Sequence, residues 1–500
     1  MPNELRASTL LQLPQCPPMF ALLRTIFLCQ NPGVRKSDTT QSSFPAGHAQ
    51  IDDTHVPSHA KVTELIASSR IALLPPEILC QIFLTALPDP PKIPIHSSIG
   101  PLSSSERITG DPWVFARVCQ RWRALALASP NLWASIAVTT VLSERDLPAL
   151  YAQLQRSKSA GLDILLKFQQ GQRRSFEPFL STLAGQCHRW RSIHLEFDGA
   201  CPAPLAFYAL GPMPRLKRVC FSGRGISNLV SYDFFKDAPN LSEVVLSSPG
   251  DFSIRNIPLP WAQLTRYTAT YSDEATHFGN LSAASNSLVE CDISFGSHGP
   301  DPPPELVRHG GSLTLLRLRR LVITHSVLLD SLVTPALQDL HVWGGIDRVL
   351  PFLHNSACAL TRLALSMCDT AAYNIILLLR HTPSLKTLCI DFLGPTTEST
   401  ALVSALVIRP LAEPLCSHLA SISWGDRNDA MDRAGFVDMV VSRWRVSAPL
   451  RRLRFVGLYL GHPRMKGHGR RLRGLADEGM DVVILNGRKG TQAMDNWREC

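Results

Sequence analysis

Three residues in the second half of the chain have side chains suited to holding a protein ligand: Arg317, Trp343 and Arg362. Each lies between the apolar residues of a recurring pattern, so a strand would direct it away from the core. Tryptophan and arginine contribute disproportionately to binding energy at protein interfaces. We therefore predict that the three form a target-binding patch. The alternative is a mixed, solvated face with one stray tryptophan.

A basic stretch near the end of the chain is a second candidate for ligand binding. Between Arg443 and Arg473 the sequence has ten lysines and arginines and neither aspartate nor glutamate. Such a charge attracts acidic proteins or nucleic acids. No nucleic-acid-binding motif accompanies it, so nucleic acid is the less favoured partner and a solvated basic face is the alternative.

Catalytic and metal-binding motifs give no support for an enzyme. The sequence has no G-x-x-x-x-G-K-[ST], no G-x-S-x-G and no H-E-x-x-H. Gly223-Arg224-Gly225 is more simply a turn after a strand than a phosphate loop. His55 and His59 flank a proline without cysteines at zinc-site spacing. We expect no catalysis, no cofactor and no metal.

The elements that must position these side chains come from an internal repeat. A large apolar residue, two variable residues, an apolar residue, one variable residue and a further apolar residue recur eleven times. The copies are Trp190-Ile193-Leu195, Leu216-Val219-Phe221, Leu241-Val244-Leu246, Leu264-Tyr267-Ala269, Leu288-Cys291-Ile293, Leu313-Leu316-Leu318, Leu337-Leu340-Val342, Leu360-Leu363-Leu365, Leu385-Leu388-Ile390, Leu419-Ile422-Trp424 and Leu450-Leu453-Phe455. The first nine begin 23 to 26 residues apart. One unit buries too little to fold alone, so the period predicts stacked units with one short strand each.

The chain has 500 residues, of which 45% are hydrophobic. This length and composition predict a globular protein of two or three folding units. Thirteen cysteines without a C-x-x-C pair indicate reduced thiols and a cytoplasmic or nuclear protein.

Residues 1–60 are predicted to be a disordered leader and linker. A signal peptide is the alternative, whereas the eleven-residue apolar run at 19–29 is too short to span a membrane. We expect a helix and a final strand near 470–485, then a tail over 487–500.

Residues 71–136 predict two amphipathic helices with more apolar surface than they can hide in each other. The first begins at Pro75-Pro76, where prolines cost no intrahelical hydrogen bond. The second begins at Asp111-Pro112 and ends at Ser129-Pro130. The excess apolar surface implies a partner. A plain helical hairpin that caps the following domain is the alternative.

This segment resembles an F-box in four blocks: Leu74-Pro75-Pro76-Glu77-Ile78-Leu79, Ile82-Phe83, Val118-Cys119-Gln120-Arg121-Trp122-Arg123 and Leu132-Trp133. The resemblance covers about sixty residues, and a Pro/Ser-rich insert at 88–111 interrupts it. It implies docking on a Skp1-like adaptor, and through it on a cullin. The residues it assigns to that contact, or to its support, are Leu74, Pro75, Pro76, Ile78, Leu79, Ile82, Phe83, Val118, Trp122 and Trp133.

The repeat in turn resembles a leucine-rich repeat, although the asparagine of that family is replaced, for example by Arg224, Pro249 and Gly345. Together the two resemblances point to the fungal F-box proteins with degenerate repeats. The implied fold class is α/β, a short helical F-box followed by a curved leucine-rich-repeat-like solenoid with a parallel sheet over residues 160–486. The implied function is substrate recognition for an SCF-type ubiquitin ligase. A non-catalytic interaction scaffold, not coupled to ubiquitination, is the alternative.

Overall fold

The protein is described here from a computed structural model, in which the chain folds into a mixed α/β arrangement of two compact units. The described residues are 70–87, 112–138, 146–169, 173–198, 210–223, 235, 237–247, 259–270, 274–295, 311–393, 395–409, 413–446, 450–462, 468–495 and 497. The predictions for residues 1–60 and for the insert at 88–111 lie outside them. The first unit takes the described residues up to 135 together with 149–160, and the second takes 136–148 and those from 161 onwards.

The first unit is helical and built around aromatic side chains. Its helices are α1 (Pro76–Ala86), α2 (Pro112–Val118), α3 (Gln120–Ala128) and α4 (Leu147–Ser157), with 3-10 turns at Arg70–Leu73 and Pro130–Trp133. Phe83 of α1 stacks on Phe115 with ring centroids 4.6 Å apart and contacts Trp122 at 4.7 Å. Offset and tilted ring pairs of this kind add to the free energy gained from burial alone.

The second predicted helix is in fact two helices, because the chain turns at Cys119. This residue is extended (φ −156°, ψ 170°), and its Sγ accepts a hydrogen bond from the Trp122 amide at 3.5 Å. The prediction of one continuous helix was wrong at this point. The break allows Phe115 on α2 and Trp122 on α3 to reach the same ring of Phe83.

The second unit is organised by one long parallel sheet of fourteen strands. The strands of the protein are β1 (Ser135–Val138), β2 (Leu162–Gln169), β3 (Trp190–Asp198), β4 (Arg218–Gly223), β5 (Glu243–Ser247), β6 (Arg266–Thr270), β7 (Glu290–Ser294), β8 (Leu313–Thr314), β9 (Arg320–Ile323), β10 (Leu332–Val333), β11 (Asp339–Trp343), β12 (Arg362–Cys368), β13 (Thr387–Phe392), β14 (Ser421–Asp426), β15 (Phe455–Leu460) and β16 (Asp481–Asn486). The sheet follows chain order and omits only β8 and β10, which pair with each other. The predicted α/β class with a parallel sheet is thus confirmed.

Helices connect many of these strands. They are α5 (Arg173–Ala184), α6 (Glu274–Ala283), α7 (Val349–Ser356), α8 (Ala372–Arg380), α9 (Thr396–Leu406), α10 (Arg433–Trp444) and α11 (His468–Asp477), followed by α12 (Arg488–Asp495). Apolar residues of the repeat meet in register: Val219 pairs with Val244, and Phe221 pairs with Leu246. All four are at most 1% exposed. The apolar positions of the pattern therefore form the core face of the sheet.

Two copies of the repeat were assigned to the wrong residues. The sixth strand of the pattern is β9 and not Leu313-Leu316-Leu318, since Leu321 pairs with Cys291 on one side and Leu340 on the other. Leu316 is 60% exposed. The last strand of the pattern is β15 and not Leu450-Leu453-Phe455, since Val456 pairs with Ile422. Both segments are rich in leucine, so the pattern matches at more than one register and the sequence alone does not choose.

The predicted tail is also wrong for most of its length. Residues 488–495 form α12, and Met494 and Trp497 are almost fully buried. An eight-residue helix is unstable by itself in water, so the contacts of these apolar side chains hold it in place.

Candidate functional site

The ten residues predicted to dock on an adaptor divide into a buried and an accessible set. Leu79, Phe83, Val118, Trp122 and Trp133 belong to the core of the first unit. Leu74 and Ile82 are half-buried, and Pro75, Pro76 and Ile78 are exposed. The prediction that Leu79 and Phe83 contact the adaptor is therefore wrong, because a partner cannot reach them while the unit is folded. Val118, Trp122 and Trp133 were predicted to support the fold or the contact, and their burial fits the first of these roles.

Apolar side chains nevertheless remain on the solvent side of α1 and just before it. Ile78 is 49% exposed, Leu84 is 37% exposed, and Leu73 in the preceding turn is 84% exposed. Leu79 and Phe83 on the same helix are 0% exposed. Sequence reasoning did not select Leu73 or Leu84, because a single apolar stripe already accounted for the helix.

Hydrogen bonds fix α1 on the rest of the unit. Arg121 of α3 donates to the carbonyl of Leu74, and Cys80 Sγ lies 3.1 Å from Ser129 Oγ. Stacking on Phe115 and Trp122 adds to this anchoring. The exposed apolar side chains of α1 are thus presented from a well-supported helix.

The face of the sheet opposite the core face carries a row of charges in register, with one charge per strand and alternating sign. In spatial order the row is Arg218, Glu243, Arg266, Glu290, Arg320, Asp339 and Arg362. Neighbouring members form ion pairs: Arg218–Glu243 at 3.3 Å, Arg266–Glu290 at 3.1 Å, Arg320–Asp339 at 3.5 Å and Arg362–Asp339 at 3.1 Å. Each charge faces an opposite one on the next strand, so the four arginines and three acidic residues leave the row with a net charge of only +1. Alternation of sign at one repeat position is a sequence signal that could have revealed it.

At two places on this face, a histidine lies within hydrogen-bond distance of a serine on the adjacent strand. His194 Nε2 lies 2.8 Å from Ser222 Oγ, and His341 Nε2 lies 2.8 Å from Ser366 Oγ. Burial, together with the charges of Arg218 and Lys167, lowers the pKa of His194 to about 4. A general base for neutral pH needs a pKa near 7, so His194 is poorly suited to activate Ser222.

The predicted target-binding patch is not brought together. Arg317 lies in an exposed turn before β9, outside the large sheet. Arg362 opens β12 opposite Asp339, whereas Trp343 ends β11 opposite Ser366, four residues further along the strand direction. Four residues of strand span roughly 13 Å. The hypothesis of a joint patch of these three residues was wrong, since it relied on the incorrect register near residue 313.

The C-terminal segment, defined here as residues 488–497, covers part of the same face. Met494 and Trp497 pack against Ala364 of β12 and Cys389 of β13, with Tyr459 of β15 at the edge. The rings of Trp497 and Tyr459 are 5.6 Å apart in an edge-to-face arrangement. These contacts lie on strands β12 to β15 and begin at the strand where the row of charges ends, at Arg362.

Charged groups complete this contact. Arg427 Nε donates to Asp391 at 2.6 Å, and Arg427 Nη2 donates to Asp495 at 2.7 Å. Arg362 Nη2 donates to the carbonyl oxygen of Trp497 at 3.2 Å. Burial raises the pKa of Asp391, while its bond to Arg427 acts in the opposite direction. Arg427 therefore holds a carboxylate of the sheet and a carboxylate of the C-terminal segment together.

The basic stretch is partly structural. Arg443 is buried and donates to the carbonyls of Leu406, Leu415 and Cys416 at 2.7, 2.6 and 3.2 Å. Burial lowers its pKa to about 10. Arg452 stacks over the ring of Trp444 at 3.2 Å. The stretch is thus less of a uniform basic surface than its composition suggests.

Comparison of the chain with models of known protein families and with characterised proteins finds no match. In the part of the chain that the structure describes, His, Cys, Asp and Glu do not gather in threes around a possible metal position. None of the described helices combines the length and apolar character needed to cross a membrane.

Proposed function

We propose that this chain is an F-box substrate-recognition subunit of an SCF-type ubiquitin ligase. Its first unit binds a Skp1-like adaptor, which links it to a cullin, and its second unit holds the target protein. The chain makes and breaks no bond. It acts by proximity, because a target held beside a separate transferase reacts as if at high local concentration.

One observation carries the proposal: α1 has a fully buried side and still exposes Ile78 and Leu84, with Leu73 next to it. Burial of one large aliphatic side chain is worth roughly 1.5–3 kcal/mol, so a partner that covers these residues gains substantially. Together with the motif blocks from Leu74 to Trp133, this supports adaptor docking. The contact is now assigned to Leu73, Pro75, Pro76, Ile78 and Leu84, with Leu74 and Ile82 at its edge.

The proposal places target recognition on the second unit. Its sheet presents many strands in chain order, and the polar face carries side chains from each of them. Specific protein contacts need a surface of about 800 Å² per partner, which an extended sheet face supplies.

The test is affinity purification of the full-length chain from eukaryotic cells, comparing the wild type with Ile78→Asp. A charge at position 78 must lose water when a partner covers it, without a compensating group. We expect the Skp1-like adaptor and the cullin to be lost from the purified sample. Gln155→Asp is the matched control, because it places the same charge on an exposed helical position of the same unit, in α4 and outside the assigned contact.

Circular dichroism must show the same helix content for both variants. Equal recovery of adaptor and cullin with Ile78→Asp contradicts the proposal. Recovery of the adaptor without cullin from the wild type favours the interaction scaffold instead.

A further inference from the structure

The C-terminal segment meets the sheet in the way a bound peptide does. It lies on the face of β12 to β15 opposite the apolar rows of the repeat, where Met494 and Trp497 form a small buried apolar cluster with Ala364 and Cys389. Its contacts combine two buried side chains, Met494 and Trp497, with a carboxylate, Asp495, and a backbone carbonyl. Hence four chemically distinct features of one short segment are recognised at once.

Glycines on both sides make the close approach possible. A Cβ at Gly425 of β14 would collide with Met494 Sδ. A Cβ at Gly490 of α12 would lie 2.5 Å from the carbonyl oxygen of Leu460. Real Cβ atoms do not come this near to other heavy atoms, so only glycine fits the present arrangement at these two positions.

The receptor side has the composition of a binding surface. Arg362, Arg427 and Tyr459 surround the segment, and arginine and tyrosine are enriched among residues that dominate interface energies. Ala364 and Cys389 form a small apolar floor beneath Met494 and Trp497. Arg427 donates through Nε to Asp391 and through Nη2 to Asp495. Because Nη2 pairs with a carboxylate here, the site favours a ligand that carries an acidic residue at this position.

The segment itself is poorly suited to be a permanent core element. It is a helix of only eight residues, and Arg488, Lys489 and Gln492 are exposed. Such a helix has little stability without its contacts. Displacement requires breaking the contacts of Met494, Asp495 and Trp497, which an incoming ligand replaces, and the packing of Gly490 against Leu460 and Leu485.

We propose that the polar face of β12 to β15 is a peptide-binding site and that Met494, Asp495 and Trp497 occupy it as an internal ligand. The partner is a protein segment of the same chemistry: an apolar residue, an acidic residue immediately after it, and an aromatic ring two residues further on. It binds by displacing the C-terminal segment. This inference does not rest on the proposed function, because it concerns binding at the sheet face alone.

The experiment uses the full chain and a fluorescent peptide copied from residues 488–500, with Cys500 replaced by serine. Binding is followed by fluorescence anisotropy. The double variant Met494→Ser/Trp497→Ser removes the anchors of the internal ligand and leaves the receptor strands unchanged. A tethered segment competes at an effective concentration of about millimolar. We therefore expect the peptide to bind the double variant at least about tenfold more tightly than the wild type.

A second peptide tests the chemistry of recognition without any change in the protein. Replacing Asp495 and Trp497 of the peptide by alanine should weaken its binding to the double variant at least about tenfold, because hot-spot side chains supply most of the affinity. Equal binding of the two peptides, or equal binding of the first peptide to wild type and double variant, overturns the proposal.

Gly425→Val provides an independent route, since it crowds Met494 and keeps the C-terminal sequence intact. We expect it to lower the thermal midpoint without unfolding the protein at 25 °C, because the added side chain also lies close to Asp391, and to expose Trp497 to an aqueous quencher. If Gly425→Val and the double variant both unfold at 25 °C, the segment is an integral part of the fold and the proposal is overturned. Adaptor recovery with Ile78→Asp is measured separately, so failure of one proposal is distinguishable from failure of the other.

Discussion

Arg362 Nη2 donates to the carbonyl oxygen of Trp497 at 3.2 Å, although 135 residues separate the two in the chain. The same guanidinium binds Asp339 on the neighbouring strand at 3.1 Å. Arg362 thus joins the row of alternating charges to the C-terminal segment. Its function in this structure is to connect two parts of the second unit, which differs from the target contact that its repeat position suggested.

Asp339→Asn should destabilise the second unit, because Asp339 lies between Arg320 and Arg362 and the change removes the carboxylate that these two guanidinium groups share. We expect a loss of about 1–3 kcal/mol in the free energy of unfolding. Glu290→Gln is the control, since its pair with Arg266 is more exposed and such pairs contribute about 0–1 kcal/mol. Urea unfolding at two salt concentrations measures both. Equal losses would show that burial of the pair has no influence.

Leu79→Ala and Ile78→Ala should have very different effects on the first unit, although the residues are adjacent. Leu79 is fully buried, and a large-to-small change in a core costs about 2–5 kcal/mol. Ile78 is half exposed, and a surface change of this kind stays within about 0.5 kcal/mol. Tryptophan fluorescence during denaturation reports on the unit through Trp122 and Trp133. A large cost for Ile78→Ala would contradict its exposed position.

His194 should make the stability of the second unit depend on pH. Its pKa in the folded protein is about 4, below the ordinary 6.5, chiefly because of burial. The unfolded chain therefore takes up a proton first as the pH falls, and stability is lost between pH 6.5 and pH 4. We expect wild type to lose about 1–2 kcal/mol more than His194→Gln between pH 7 and pH 5. Parallel pH profiles of the two proteins would contradict this assignment.

Cysteine reactivity should separate two groups of thiols. Burial raises the pKa of Cys291 and Cys368 well above the ordinary range, and the nearby Asp292 and Asp391 raise it further. Because the thiolate is the reactive form, both should resist iodoacetamide at pH 8 until the protein unfolds. Cys80 and Cys119 are only half-buried and should label faster. Residue-resolved mass spectrometry gives the rates, and early labelling of Cys368 would rule out its burial.

The parallel sheet was predictable, because a strand that turns one face to the core must repeat its apolar residues at fixed positions. Val219, Val244 and Tyr267 were placed correctly from this pattern, and they pair in register. The pattern fails where leucines are too frequent. Between Leu313 and Ile323 several registers bury equally apolar side chains, and pairing with Cys291 and Leu340 decides among them.

The candidate sites were less predictable than the fold. Helix α1 was predicted from its prolines and apolar stripe, but which of its side chains face outwards depends on where Phe115 and Trp122 pack against it. The C-terminal segment was missed because two apolar residues, Met494 and Trp497, are too few in a short polar sequence to predict a buried helix face. A sequence pattern identifies apolar residues, not the surface that receives them.

By itself the sequence determined the number and order of most strands and the helical character of the first unit, because apolar periodicity records which side chains leave water. The tertiary structure alone decided which polar groups meet. Asp495 contacts Arg427, and Trp497 contacts Arg362, only because the C-terminal segment packs on strands that lie far earlier in the sequence. Contacts across such distances depend on the register and packing of the whole sheet, and no local pattern encodes them.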